Sequence, residues 1–114
     1  MTDIHRLKIV QPFYSMVDDE SKNFEIRKQG PDQYFAVGDY LILVLDPPMP
    51  KPLEARELVR KVKSIVWSHQ FEAGIKDNYC VMGLDVPSET EAALVIELHY
   101  AQSKMDELDR HRCY

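Results

Sequence analysis

Lys22, Glu25 and Arg27 fall within the run Lys22-Asn23-Phe24-Glu25-Ile26-Arg27. A guanidinium is a planar fork that suits a phosphate or the edge of a base. A carboxylate beside it fixes its orientation and can accept a hydrogen bond from a nucleobase amine. A lysine close to both becomes a general base if burial lowers its pKa. The bland alternative is an ordinary ion pair, since structural pairs also perturb titration.

The run alternates, which predicts a strand. Asn23, Glu25 and Arg27 share one face, with acid and base about 7 Å apart along the backbone. Phe24 and Ile26 share the other, and are expected to seal a core. Upstream, His5 to Val10 predicts a first strand. Pro12 suits the first turn of a helix, with Phe13, Met16 and Val17 at helical spacing toward the core. Asp18, Asp19 and Glu20 oppose the negative end of that helix.

Downstream, Gln29-Gly30-Pro31-Asp32 is turn chemistry, Tyr34 to Val37 is extended, and Gly38-Asp39 is a second tight turn. Tyr40 to Leu45 is apolar throughout and predicts a strand buried on both sides. Residues 46–52 hold four prolines, a stiff excursion with polyproline character. Residues 55–67 read two ways. Leu58, Val59, Val62, Ile65 and Val66 fit a helix face, while the β-branched content fits a strand. Tyr79 to Val86 is a further strand, ended by Pro87.

These segments resemble the ASCH domains, a branch of the PUA-like barrels, over roughly residues 5–86. The resemblance rests on Lys-x-x-Glu-x-Arg at 22–27, Leu7-Lys8-Ile9, Phe35-Ala36-Val37-Gly38-Asp39-Tyr40 with the strand after it, and Gly74-Ile75-Lys76-Asp77-Asn78-Tyr79 leading into Leu84. Together they look like the small ASCH-like proteins, common in bacteria and phages, whose function is unknown. The resemblance implies an α+β fold: a small open β-barrel of five or six strands over residues 1–87, with an early helix. It also implies a strand at 55–67, after a variable loop. Where the family has a helix-ending glycine, this chain has Glu20.

The resemblance implies an RNA- or modified-nucleotide-binding module gripped by Lys22, Glu25 and Arg27; Tyr79 and Trp67 are added as candidate binding residues. Some relatives are amidases acting on 4-acetylcytidine through a lysine and a threonine. Lys22 matches that lysine, but Glu25 stands at the threonine position, and a carboxylate is a poor substitute for a hydroxyl nucleophile. Other relatives are linked to RNA cleavage, for which Lys22, Glu25, Arg27 and a tyrosine such as Tyr79 or Tyr34 would serve. A hydrolase on the same cleft is therefore the alternative. A third is a phage-type interaction module using the proline loop and the late helix.

Residues 88–114 extend past this core. Ser88 with Glu91 forms a capping box. Leu94, Leu98, Ala101, Met105 and Leu108 then repeat at heptad-like spacing, and Arg110, His111 and Arg112 suit a helix C-terminus. Alternatively, Ala93 to Tyr100 forms a strand. A C-terminal helix is expected, its seam either lying on the barrel or pairing in a homodimer through Leu94, Leu98, Met105 and Leu108.

The 114 residues fit one domain; 45% are hydrophobic and 29% charged, which argues against disorder. The net charge is −5. Residues 1–87 carry 11 basic and 13 acidic side chains, a net of −2, and residues 88–114 carry 3 and 6, a net of −3. That excludes broad, salt-driven coating of duplex DNA but leaves room for a local basic cleft. Arg56, Arg60, Lys61 and Lys63 form a backbone-binding stripe or a solvated strand edge. Trp67, Ser68 and His69 either stack on a base or, for Trp67, plug the core.

His5, His69, His99 and His111 show no metal-ligand spacing and there is no Cys-x-x-Cys, so no metal is expected. Neither a Gly-x-Gly-x-x-Gly, a phosphate loop nor a Gly-x-Ser-x-Gly occurs, so no cofactor is expected. Met1-Thr2-Asp3 brings no apolar leader and no run approaches a membrane span, so a cytoplasmic chain with reduced Cys80 and Cys113 is expected.

Overall fold

The computed structural model describes residues 2–30, 33–50 and 56–112, with side chains through Met105. The fold is α+β: a five-stranded sheet curled into a half-barrel, with a long C-terminal helix. In chain order the elements are β1 (Ile4–Ile9), α1 (Phe13–Asp18), β2 (Phe24–Lys28), β3 (Tyr40–Leu45), β4 (Glu57–Trp67), β5 (Tyr79–Asp85) and α2 (Glu89–Arg112). The sheet order is β1-β3-β4-β5-β2. β1 runs parallel to β3, and the other pairs are antiparallel. The two sheet edges are thus β1 and β2, consecutive strands joined by α1. Among the described residues, no helix is long and apolar enough to cross a membrane.

β3 is the middle of the packing, buried on both sides as its apolar run implies. Leu41, Leu43 and Leu45 point inward with Leu7, Ile9, Val62, Cys80, Met82 and Leu84. Ile42 and Val44 point outward to Val59 and Val95, against which Ala92 and Ile96 of α2 also pack. Burying each such leucine or isoleucine is worth about 1.5–3 kcal/mol.

Residues 57–67 form a strand, and its geometry explains the helical spacing. The pairing of β4 with β5 slips between Val62 and Ser64. A bulge of this kind changes which residues face inward. Leu58 and Val62 precede it, and Ile65 and Trp67 follow it, all packed on the same inner core. The three-residue step from Val62 to Ile65 imitates a helix.

Two expectations for the early helix change. Tyr14 and Val17 are its buried residues, while Phe13 and Met16 are 46% and 37% exposed. Ahead of the helix, Gln11 Oε1 accepts from both the backbone N–H and the hydroxyl of Ser15 and so satisfies one donor of its first turn. Glu20 takes the left-handed conformation itself, at φ 66°, so the chain closes the helix without a glycine.

α2 begins as its capping box implies, with the Glu91 N–H donating to Ser88 Oγ at 3.1 Å. The strand alternative for Ala93 to Tyr100 is not adopted. The seam does not lie on the barrel: Leu94, Leu98, Ala101 and Met105 are exposed, and Val95, Ala92 and Ile96 make the docking contact instead. Two tyrosines pin the helix to the sheet. Tyr40 donates to Glu91 and Tyr100 to Glu57, each at 2.5 Å. The side chains of Leu108, Arg110, His111 and Arg112, along with Pro31, Asp32, Lys51, Pro52 and Cys113, lie outside the described residues.

Candidate ligand-binding cleft

The curled sheet leaves a gap between its edges. β1 and β2 do not pair; a single hydrogen bond crosses between them, from Arg27 Nη2 to the Lys8 carbonyl at 2.8 Å. The gap holds a cavity of about 410 Å³, bounded by the end of β1, by α1 and by β2.

Each polar group reaches this cavity for a local reason. Left-handed Glu20 turns the chain back so that the Lys22 N–H donates to the Met16 carbonyl at 2.9 Å. Asp19 braces that turn by accepting from the Ser21 N–H, and its hydrogen bonds with Ser21 hold its carboxyl below the usual value. Lys22 is thereby buried, its amine donating to Glu25 Oε1 at 2.6 Å and to the Phe24 carbonyl at 2.7 Å. On β2, Glu25 sits opposite Met82 and Arg27 opposite Cys80. Directly opposed residues share a face, so both polar side chains turn inward beside core residues. Arg27 Nε donates to Glu25 Oε2 at 2.8 Å.

The sequence expectation for this strand is therefore inverted. Glu25 is 4% exposed, whereas Phe24 and Ile26, expected to seal the core, are 40% and 53% exposed. Strand β2 is an edge over an open gap. Its inner side meets cations as well as core, and its apolar residues wall the opening. Phe13 and Met16, turned away from the core, complete that wall with Ile9 and Val10. The Lys22 amine lies 4.9 Å from the centre of the Phe24 ring and 5.8 Å from that of Phe13, within cation–π range. Spacing placed Glu25 and Arg27 together; the wall residues were signalled only by the doubled apolar pairs Phe13-Tyr14 and Met16-Val17, one member of each facing the core.

The remaining expected site residues lie elsewhere. Trp67 shares a row and a face with Cys80 and Arg27, but two strand spacings, about 10 Å, separate it from Arg27. It packs on the inner core and does not line the cavity. Tyr79 pairs with Lys28 on the opposite face, its ring 5.7 Å from the Lys76 amine. Tyr34 is 67% exposed and outside the cavity lining, as is His69.

The basic stripe does not form. Arg60 is buried and donates to the Val17 and Val59 carbonyls. Burial pushes its pKa down from the usual value against the pull of Glu20 and Asp18. Lys61 lies over the Tyr40 ring, and Lys63 reaches Asp85 at 3.7 Å.

Two further groups shape the site. Cys80, opposite Arg27 on the neighbouring strand, is a free, fully buried thiol whose pKa is raised by burial, which disfavours the reactive thiolate. Asp39, of the Val-Gly-Asp motif, is 2% exposed and ties the start of β1 to the turn before β3. It accepts from the Asp3 N–H (3.1 Å), the Ala36 N–H (3.0 Å) and contacts His5 Nε2 (2.8 Å). Sequence spacing did not connect Asp3, His5 and Asp39, whose ligand-type atoms lie within 4.8 Å of one another. With three donors already on the Asp39 carboxylate, the cluster reads as a structural knot.

Chemically, the cleft offers cations and apolar rings, with little room for acid–base work. Each Glu25 oxygen already accepts from a neighbouring cation, and the Lys22 amine donates to two acceptors, so both groups are tied into the ion pair. Among the described residues, Nη1 of Arg27 carries no hydrogen bond and remains available to a ligand. We found no match among curated proteins. A family model described as a domain of unknown function, DUF3850, matches residues 4–84. That match runs from the first residue of β1 almost to the end of β5 and takes in every residue of the cleft, and the chain belongs to the DUF3850 family.

Proposed function

We propose that the chain is an ASCH-like, PUA-like module that binds RNA or a modified nucleotide in the gap between β1 and β2. The observation that carries this reading is the convergence of Lys22, Glu25 and Arg27 on one wall of a 410 Å³ cavity whose other walls include Phe13, Phe24, Met16 and Ile26. Small-molecule pockets have this make-up: concave, mostly apolar, with a few convergent polar groups. A base fits against the apolar walls. Arg27, held in place by Glu25 and the Lys8 carbonyl, presents its free nitrogen to a phosphate or base edge. The hydrolase alternative draws less support, because Lys22 and Glu25 already satisfy each other.

Calorimetric titration of nucleosides, nucleotides and short single-stranded RNA tests the reading. A saturable interaction is expected, weakened by about tenfold or more in Arg27→Ala, the loss of one charge-assisted contact. Few phosphate contacts mean a shallow salt dependence. Absence of binding at low salt, or equal binding by Arg27→Ala, contradicts it. Turnover of 4-acetylcytidine or RNA that disappears in Lys22→Ala would establish the hydrolase instead.

A further inference from the structure

α2 presents two apolar faces, and the sheet uses only one. Val95 is 6% exposed against the outer side of the sheet, with Ala92 and Ile96 beside it. About 100° round the helix, at one residue per step, Leu94, Leu98 and Met105 are 59%, 54% and 65% exposed, with Ala101 between them also exposed. From Tyr100 to Met105 every side chain is exposed. The helix is 24 residues long, about 36 Å at 1.5 Å per residue. Beside Leu94 and Leu98 lies a groove of about 310 Å³, floored by Thr2, Ile4 and Tyr40.

The geometry points to a second copy of this chain as the occupant, paired through α2 as an antiparallel two-helix seam. Spacing of four, three and four residues from Leu94 to Met105 is that of a coiled-coil seam. A two-fold axis crossing the helix pair between His99 and Tyr100 sets Leu94 against Met105 of the second copy, and Leu98 against its Ala101. Each layer then joins a large side chain to a smaller or more flexible one. In that register Glu97 faces Lys104 of the second copy, twice by symmetry, and both residues are exposed. Met105 of the second copy comes to rest in the groove beside Leu94. The surface is therefore self-complementary in shape and charge, as an isologous interface requires. Shifting the register by one heptad would bring Lys104 against itself. A parallel pairing would set Glu97 against Gln102, with no charge to match.

Sedimentation equilibrium of the full chain tests this, with far-ultraviolet circular dichroism as the check on folding. The expected species has twice the 13.3 kDa chain mass. Leu98→Glu is expected to be monomeric with unchanged helix content. Met105→Asp, at a position 65% exposed in the single chain, is expected to be monomeric too. Glu97→Lys should raise the dimer dissociation constant about tenfold, since two attractive contacts become repulsive. Adding Lys104→Glu should restore it. A monomer at about 200 µM chain, well above typical interface affinities, overturns the proposal. So does a dimer that survives both Leu98→Glu and Met105→Asp. A dimer indifferent to both charge variants overturns the antiparallel register.

Discussion

Glu25 is the residue on which the cleft turns. It lies almost wholly out of water between two cations, accepting from the Lys22 amine and from Arg27 Nε. A carboxylate so placed neutralises charges that the protein has already desolvated, and removing it leaves them facing each other. Glu25→Gln keeps the shape but not the charge. It should cost about 3 kcal/mol in urea unfolding and lower Tm by more than about 10 °C. Lys22→Met should cost less, because the Glu25–Arg27 pair survives. If Glu25→Gln is neutral, the trio is not the electrostatic centre described here. The grouping of Glu25 with Arg27 was legible in the sequence, since residues two apart on a strand share a face. The direction of that face was not. The amphipathic rule sends Phe24 and Ile26 inward, but it assumes that the other side meets water. On β2 the polar side meets Met82, Cys80 and buried Lys22. Trp67 and Tyr79 illustrate the same limit: their parity relative to Arg27 depends on pairing, which only the sheet register reveals.

Single elements carry two more tests. The turn from α1 into β2 forces Glu20 to φ 66°, where an L-residue costs about 1–2 kcal/mol. Glu20→Gly should therefore stabilise the chain by about 0.5–1 kcal/mol after the added freedom of its unfolded state. Glu20→Ala, still strained, should give no gain; equal effects of the two in urea unfolding would remove strain as the explanation. The docking of α2 should depend on alkaline pH. Tyr40 and Tyr100 have pKa values raised from 10.0, mainly by donating to Glu91 and Glu57 and then by burial, with Arg6 opposing at Tyr100. The folded pKa lies above the unfolded one, so their contribution is whole below about pH 10 and is lost as pH rises through the raised values. Melting followed from about pH 8 to about pH 11 should show Tm falling at the alkaline end. That fall should be shallower in the Tyr40→Phe, Tyr100→Phe double variant; an unchanged slope would mean the two tyrosines do not hold the helix. Legibility differed among elements for physical reasons. β3 was plain because both its faces are buried. β4 was ambiguous because its bulge turns a period of two into a local step of three. α2 was recognisable from its cap and its spacing, but the more regular stripe is the one it leaves exposed.

For the molecule as a whole, the decisive feature is that the sheet stops short of closure. Its edges are successive strands, so the short helix between them must bridge the gap, and the cleft residues of α1, β1 and β2 all come from the first 27 residues. That concentration is why so much of the site could be read from one stretch of sequence. The wall supplied by Phe13 and Met16 could not, because it depends on where the edges end up. The later strands build the core and hold the edges apart, and α2 adds a surface on the far face of the sheet. The most direct test is an amide-resolved NMR titration with a nucleoside monophosphate and with a short single-stranded RNA. The account predicts saturable shifts confined to Lys8 to Val10, Phe13 to Met16 and Lys22 to Arg27, and their disappearance in Arg27→Ala. Saturable shifts centred on Tyr79, Lys61 or α2 instead, or none at millimolar ligand, would contradict it.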